Sequence, residues 1–334
     1  MASPILHIKD SYYFEVPKFM WQYRSLDEVP DFLREAHPHE SLAEFQAALN
    51  GKIMIPQLPG TELKNLYEKE SGFAISKFMV LELVVALLMA VVFIRLAGKM
   101  RSGAAPKGKA WNLLEAMLLF VRNDIARPAI DSHDDHGHVE QAHGHGHGHA
   151  QQSHKPPTHD GDRFVPLLWT LFFFVLLSNL FGLVPWAGST TGSFAVTLSL
   201  AGVTFATVLL SGTRKFGVLG FWLNQVPPME LPWFMAPLKF VIFVIEVVGM
   251  FIRHAILAVR LLANMVAGHL VLLGIMGLAF SLEGALNPNW GLTATISVVA
   301  SAIFSLLELF VAFLQAYIFT FLSALFIGAA VHKH

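Results

Sequence analysis

The 334-residue chain contains no cysteine. That excludes disulfides, thiolate zinc sites and thiol catalysis, and leaves the compartment open. Charge is also scarce: 14% of residues are Asp, Glu, Lys or Arg, against about 25% in a soluble domain. Basic excess is missing too, with a formal net charge of −1, which removes the electrostatic footprint of a nucleic-acid binder. No G-x-x-x-x-G-K-[ST] phosphate cradle occurs. What the chain has is apolar surface: 54% hydrophobic residues and a mean hydropathy of +0.53. A soluble enzyme and a disordered chain are both excluded by that balance.

The few charges are unevenly placed. Residues 1–77 hold eight Lys/Arg and eleven Asp/Glu. Residues 164–334 hold six basic residues (Arg214, Lys215, Lys239, Arg253, Arg260, Lys333) and four acids (Glu230, Glu246, Glu283, Glu308). The second composition is that of a bilayer protein. The organisation that follows is an outer-side extramembrane segment over 1–74 and a first membrane helix over 75–98. A cytoplasmic amphipathic helix with a His-rich loop takes 99–163, and a multi-span membrane domain takes 164–334. The N-terminus lacks the basic and then apolar run of a cleavable signal. Asp27–Phe45 reads as short amphipathic helix with a Pro break, and Ile53–Pro59 as an extended stretch.

Apolar zones cover Phe78–Leu96, Val165–Trp186, Phe194–Leu210, and Trp233–Val331 with one break at Ser281–Trp290. Unbroken, Ala236–Phe280 is a helix of about 65 Å and Gly291–Ala330 one of about 60 Å, against roughly 30 Å of hydrocarbon. The first piece has no Pro beyond Pro237, and no turn residues lie between its charged positions Arg253–His254 and Arg260. The fold class expected is therefore an all-α polytopic membrane protein with about five membrane helices, the last two a long, strongly tilted hairpin. Trp111–Arg127 adds an amphipathic surface helix, with Leu114, Leu118, Val121 and Ile125 on one face and Pro128 ending it. Basic residues flank the spans at Lys99, Arg101, Lys107 and Lys109, at Arg214 and Lys215, and at Lys333. All fall on one side if the N-terminus is outside and the C-terminus cytoplasmic.

Nine of the sixteen His lie between His133 and His159. His143, His145, His147 and His149 alternate with Gly, which imposes no rigid ligand geometry. The run reads either as a tolerated polar loop or as a weak metal-binding tract.

Ionisable groups inside the spans are more informative, since each costs about 2.5–3.5 kcal/mol on insertion scales. Glu246, Arg253 and Arg260 repeat at seven, nearly two helical turns, and so share a stripe; Asn264 lies one turn further and His269 follows. On the facing helix Ser301, Glu308 and Gln315 also repeat at seven. Arg253 can be neutralised by Glu246, and Arg260 by Glu308. Arg260 has no acid within a turn on its own helix and cannot shed its charge as Lys can. Something negative must come to it from the other helix or from another protein.

The stretch L-A-V-R-L-L-A-N-M-V-A-G-H (257–269), followed by E-L-F-V-A-F-L-Q-A-Y-I-F (308–319), resembles the a subunit of F-type ATP synthases. Pro237-Leu238 to Glu246 looks like that family's opening of the same helix, and Asn179 in FFFVLLSNLFGLVP resembles its Asn before a Leu-Pro turn. The likeness covers most of residues 75–331. His269 and Glu308 stand in the exchanged arrangement, as in the mitochondrial type. Arg253-His254 stands where a basic residue and Pro are common, and Ser193 and Ala195 where Asp and Asn are common.

The resemblance implies a stationary proton channel beside a rotating c-subunit ring, with b-type peripheral-stalk subunits, the remainder of the ATP synthase and the lipid bilayer as partners. It implies no cofactor, no nucleic-acid partner and no catalysis of ATP chemistry in this chain. A bacterial inner membrane is expected, ahead of a mitochondrial one. Two half-channels would end near Arg260, the essential charge barrier. Glu308 and His269 would relay protons on the outer side, and Gln315 would hydrogen-bond near Arg260. Glu246 and Asn264 would line the inner side or fix Arg260, while Asn179, Arg253 and Ser301 are channel or structural candidates. The competing reading is a divalent-metal (zinc) transporter with a His-rich cytoplasmic loop. It needs ligands within the spans, where only His254 and His269 occur, fifteen residues apart.

Overall fold

The computed structural model describes residues 10–100, 108–131, 160–184, 187–225, 236–281 and 290–332. The His-rich run, with His143, His145, His147 and His149, lies outside the described residues, as does most of the Ser281–Trp290 break. The chain forms two compact units. One comprises Met1–Val91, Leu177–Val196 and Leu262–Ala312; the other comprises Val92–Leu176, Thr197–Leu261 and Phe313–His334.

The first unit begins with a small α/β cap. Strand β1 (Tyr13–Glu15) precedes helices α1 (Asp31–Ala36) and α2 (Leu42–Leu49). Strand β2 (Lys52–Met54) then pairs antiparallel with β1, setting Tyr13 opposite Met54. A second hairpin joins β3 (Glu62–Leu63) to β4 (Lys69–Ser71). The helices stop and start where the sequence says they should. Ahead of Pro38, α1 ends at Ala36, and a reciprocal Ser41–Glu44 capping box opens α2. Tyr23, Val29, Leu33, Phe45 and Leu49 are buried together as a core. The expected helical stretch with a Pro break is present; the pairing of residues 52–54 with an upstream strand was not foreseen.

Five helices are long and apolar enough to cross a membrane. They are α3 (Lys77–Met100), α6 (Val165–Gly182), α7 (Phe194–Asn224), α8 (Ala236–Ser281) and α9 (Trp290–Val331). Between α3 and α6 lie α4 (Lys109–Phe120) and α5 (Arg127–Asp131). The protein is thus an all-α multi-pass membrane protein with a long C-terminal helical hairpin. Backbone bonds satisfied within each segment are what make helices the workable solution in hydrocarbon. At 46 and 42 residues, α8 and α9 are unbroken, each about twice the length that roughly 30 Å of hydrocarbon requires. The backbone of α3 is tied to the cap, where Lys77 N–H donates to the Ser11 carbonyl at 2.8 Å.

Pro128 does not end the amphipathic helix. The helix runs on through it to Asp131, because Val121–Ala126 winds as a wider π-type turn just ahead of the ring. A proline inside a regular helix removes one hydrogen bond and presses on the carbonyl four residues back, and a π-turn absorbs both effects. Val121 and Ile125 of the expected face are buried, with Leu118. That face packs on protein: Trp169 of α6 donates its indole N–H to the Leu118 carbonyl at 2.9 Å, and Phe120 meets Tyr317 of α9. Arg122 and Arg127 both fork onto Asp162, at 2.8–3.2 Å, just before α6. The two guanidinium groups, Arg122 first, hold the Asp162 carboxyl well below the usual carboxylate range. This clamp is present above the unfolded carboxylate range and is lost as pH falls toward the folded value.

Candidate functional site

Each polar group predicted on α8 and α9 sits on an unbroken helix, so the seven-residue stripes are real spatial rows. The two helices run antiparallel. His254 of α8 packs on Phe326 of α9, whereas His269, further along α8, meets Glu308, earlier on α9.

In the first unit, His269 Nδ1 lies 3.4 Å from Glu308 Oε1 and 3.1 Å from the Met265 carbonyl. A carbonyl can only accept, so Nδ1 carries the proton and Nε2 is the free acceptor. Glu308 is 6% exposed, and neither of its oxygens has a hydrogen-bond partner among the described residues. Gly268 makes room for it: a Cβ there would stand 2.5 Å from Glu308 Oε1. Further along the same α9 row the hydroxyls of Ser297 and Ser301 are buried without a hydrogen-bond partner among the described residues. Asn264 is half-buried.

Asn179 sits in a second polar patch of this unit. Thr191 Oγ1 donates to Asn179 Oδ1 at 2.9 Å, and Asn179 Nδ2 points to the Ala312 carbonyl of α9 at 3.5 Å. The hydroxyls of Ser178 and Thr190 beside them are buried without hydrogen bonds among the described residues. The short loop 187–193, featureless in sequence except for lacking charge, thus carries hydroxyls inward against α6.

In the second unit, Arg253 Nη2 contacts Glu246 Oε2 at 3.2 Å, the expected neutralising pair. Arg260 differs. Its Nε and Nη2 are hidden from solvent and have no hydrogen-bond partner among the described residues. Gln315 is 4% exposed, and its Nε2 too has no hydrogen-bond partner among the described residues. Glu246 and Arg253 line a cavity of about 210 Å³ with Gln225, Met250 and His254.

Sequence reading missed Ser297, Ser178, Thr190, Thr191 and His254. Ser297 had a signal, being one turn before Ser301 on the same row. His254 had one too, as an ionisable group within a span; Ser178, Thr190 and Thr191 had none, since a hydroxyl is ordinarily content with nearby backbone. Among the described residues no three His, Asp or Glu come together as a metal site.

Chemically, the arrangement offers a permanent cation with no ion pair among the described residues on one helix, and a partly buried imidazole beside a buried carboxylate, groups of the kind that exchange protons. A family model described as ATP synthase A chain matches residues 145–328. ATP synthase subunit a of Anaeromyxobacter sp. (strain Fw109-5) is 33% identical, over 98% of this chain and 70% of that protein. ATP synthase subunit a of Myxococcus xanthus is 34% identical, over 82% of this chain and 80% of its own length. A third relative of the same name, from Chloroherpeton thalassium, is 38% identical over 70% of this chain.

Proposed function

The chain belongs to the ATP synthase A chain family, and from that premise we propose that it is the stationary proton channel of a rotary ATP synthase. It conducts protons to and from the carboxylates of a c-subunit ring and catalyses no ATP chemistry itself. The observation that carries this reading is Arg260, a cation that cannot deprotonate, in a membrane helix, with its Nε and Nη2 unpartnered among the described residues.

A proton enters from outside along a polar path that includes Glu308 and His269. It neutralises a ring carboxylate, which can then face lipid as the ring turns. The next carboxylate to arrive is driven to ionise by Arg260, since a nearby positive charge lowers a carboxyl pKa by about 1–3 units. Its proton leaves along a second path lined by Glu246. Arg260 also repels protons, so the two paths stay separate. Each proton crossing about 100 mV releases about 2.3 kcal/mol, so several are used per ATP. Asn264, Gln315 and Ser301 hydrogen-bond water or the arriving carboxylate along these rows. Exposed Ala263 and Ala267, on the turns that follow Arg260, let the ring approach closely. The assembly includes b-type stalk subunits and sits in a bacterial inner membrane. Residues 1–74 lie outside the bilayer, and the C-terminus is cytoplasmic.

The experiment is Arg260→Ala in the complete ATP synthase reconstituted in vesicles. ATP-driven proton pumping should vanish while passive proton leak persists or rises. Retained coupled synthesis sinks the reading.

A further inference from the structure

His254 is 5% exposed and belongs to none of the rows described for the channel. Its ring is wedged between Phe205 of α7, with centroids 5.0 Å apart, and Phe326 of α9, at 4.9 Å. Nδ1 lies 2.9 Å from the Met250 carbonyl one turn back. Because that oxygen can only accept, Nδ1 holds a proton and Nε2 presents a lone pair. Nε2 is buried and has no hydrogen-bond partner among the described residues. An apolar side chain would pack as well between two phenylalanines, and a buried imidazole with one orphaned nitrogen is a net cost.

The ring also lines the 210 Å³ cavity that holds Glu246, Arg253 and Gln225. A space of that size takes several waters, and its polar walls give them partners. The charged groups facing it are Glu246 and Arg253, both from α8. From α7 and α9 the cavity receives Val208, Phe326, Ala329 and Ala330, none of which titrates. Glu246 and Arg253 are paired at 3.2 Å, so they present little net charge to the imidazole.

We propose that His254 is a proton-exchanging group of the path that Glu246 lines, taking up and releasing a proton at Nε2 through water in this cavity. The inference rests on the channel reading above. The step balances at one atom. A proton from a water chain binds the Nε2 lone pair and makes imidazolium, and the same proton leaves from Nε2 to water or to the Glu246 carboxylate. Nδ1–H stays on the Met250 carbonyl throughout, so the ring need not flip, and the two phenylalanines hold it in place.

The test uses the whole ATP synthase in liposomes, with passive proton conduction driven by a potassium diffusion potential and pH varied on one side at a time. Wild type should show an inflection within the mildly acidic to neutral span where imidazoles exchange protons, on the side that Glu246 serves. In His254→Gln and His254→Phe that inflection should disappear. Conduction near neutrality should fall at least about tenfold, short of the roughly hundredfold that a rate-limiting acid–base group contributes. Wild-type pH profiles in either assembled variant overturn the inference and reduce His254 to packing. Should neither variant assemble, the wild-type profile decides: an inflection on that side supports the inference, and a flat response overturns it. Arg260→Ala run in parallel separates the failures. Coupled pumping retained there sinks the channel reading, whereas unchanged His254 profiles beside a dead Arg260 variant sink only this inference.

Discussion

At the scale of single residues, charge scarcity did most of the work. Arg260, Glu246, Arg253 and Glu308 stood out because a bilayer helix carries ionisable groups only at a cost, and periodicity alone set them in rows. Their partners were less legible. The Glu246–Arg253 contact followed from spacing along one helix, but the nearness of His269 and Glu308 depends on how two helices register. Gly268 fixes that nearness, since any side chain there would collide with the Glu308 carboxylate, the movable end of the contact. Gly268→Val should therefore leave the complex assembled but displace Glu308. Proton pumping should slow by roughly tenfold or more, given that a displacement of about 1 Å can cost up to about a hundredfold. Pumping assays beside Glu308→Gln check this; a wild-type rate in Gly268→Val would show that the Glu308 position is not used.

At the scale of elements, the long helices were readable because 236–280 has no proline beyond Pro237, 291–330 has none, and neither carries a cluster of turn residues. The cap strands were not, because three-residue strands carry no period. Neither was the passage through Pro128, which depends on a π-turn that no sequence signal announces. In α7 the break is a single residue: Gly217 has φ 76° and ψ 166°, a region essentially closed to other residues. It ends the membrane-crossing part at Phe216 and lets 218–224 take a new direction. Gly217→Ala should destabilise the folded chain by about 1–3 kcal/mol, seen as a lower thermal midpoint in detergent. An unchanged midpoint would mean the break needs no glycine.

For the whole molecule, much of the apolar surface stays open: Ile252, Ile256 and Val259 on α8, and Ile303, Leu306 and Phe310 on α9, are all exposed. On the proposed reading lipid and the c-ring cover these faces. Because the chain has no cysteine, single replacements report on contacts without background. Ala263→Cys and Ala267→Cys should form disulfides with cysteines placed near the ring carboxylate, while a cysteine at Leu88 on α3 should not. Cross-links at Leu88 and none at Ala263 would put the ring on another face.

The two unbroken helices also constrain how this gene can change over time. One residue inserted between Glu308 and Gln315 would turn everything after it by about 100°, taking Gln315 off the row that Ser301 and Glu308 share. Substitutions can be absorbed along these helices one at a time; changes of length cannot. Lineages of this protein should therefore drift freely in the number of residues between His133 and His159, yet keep the count from Glu246 to His269 and from Ser301 to Gln315 fixed.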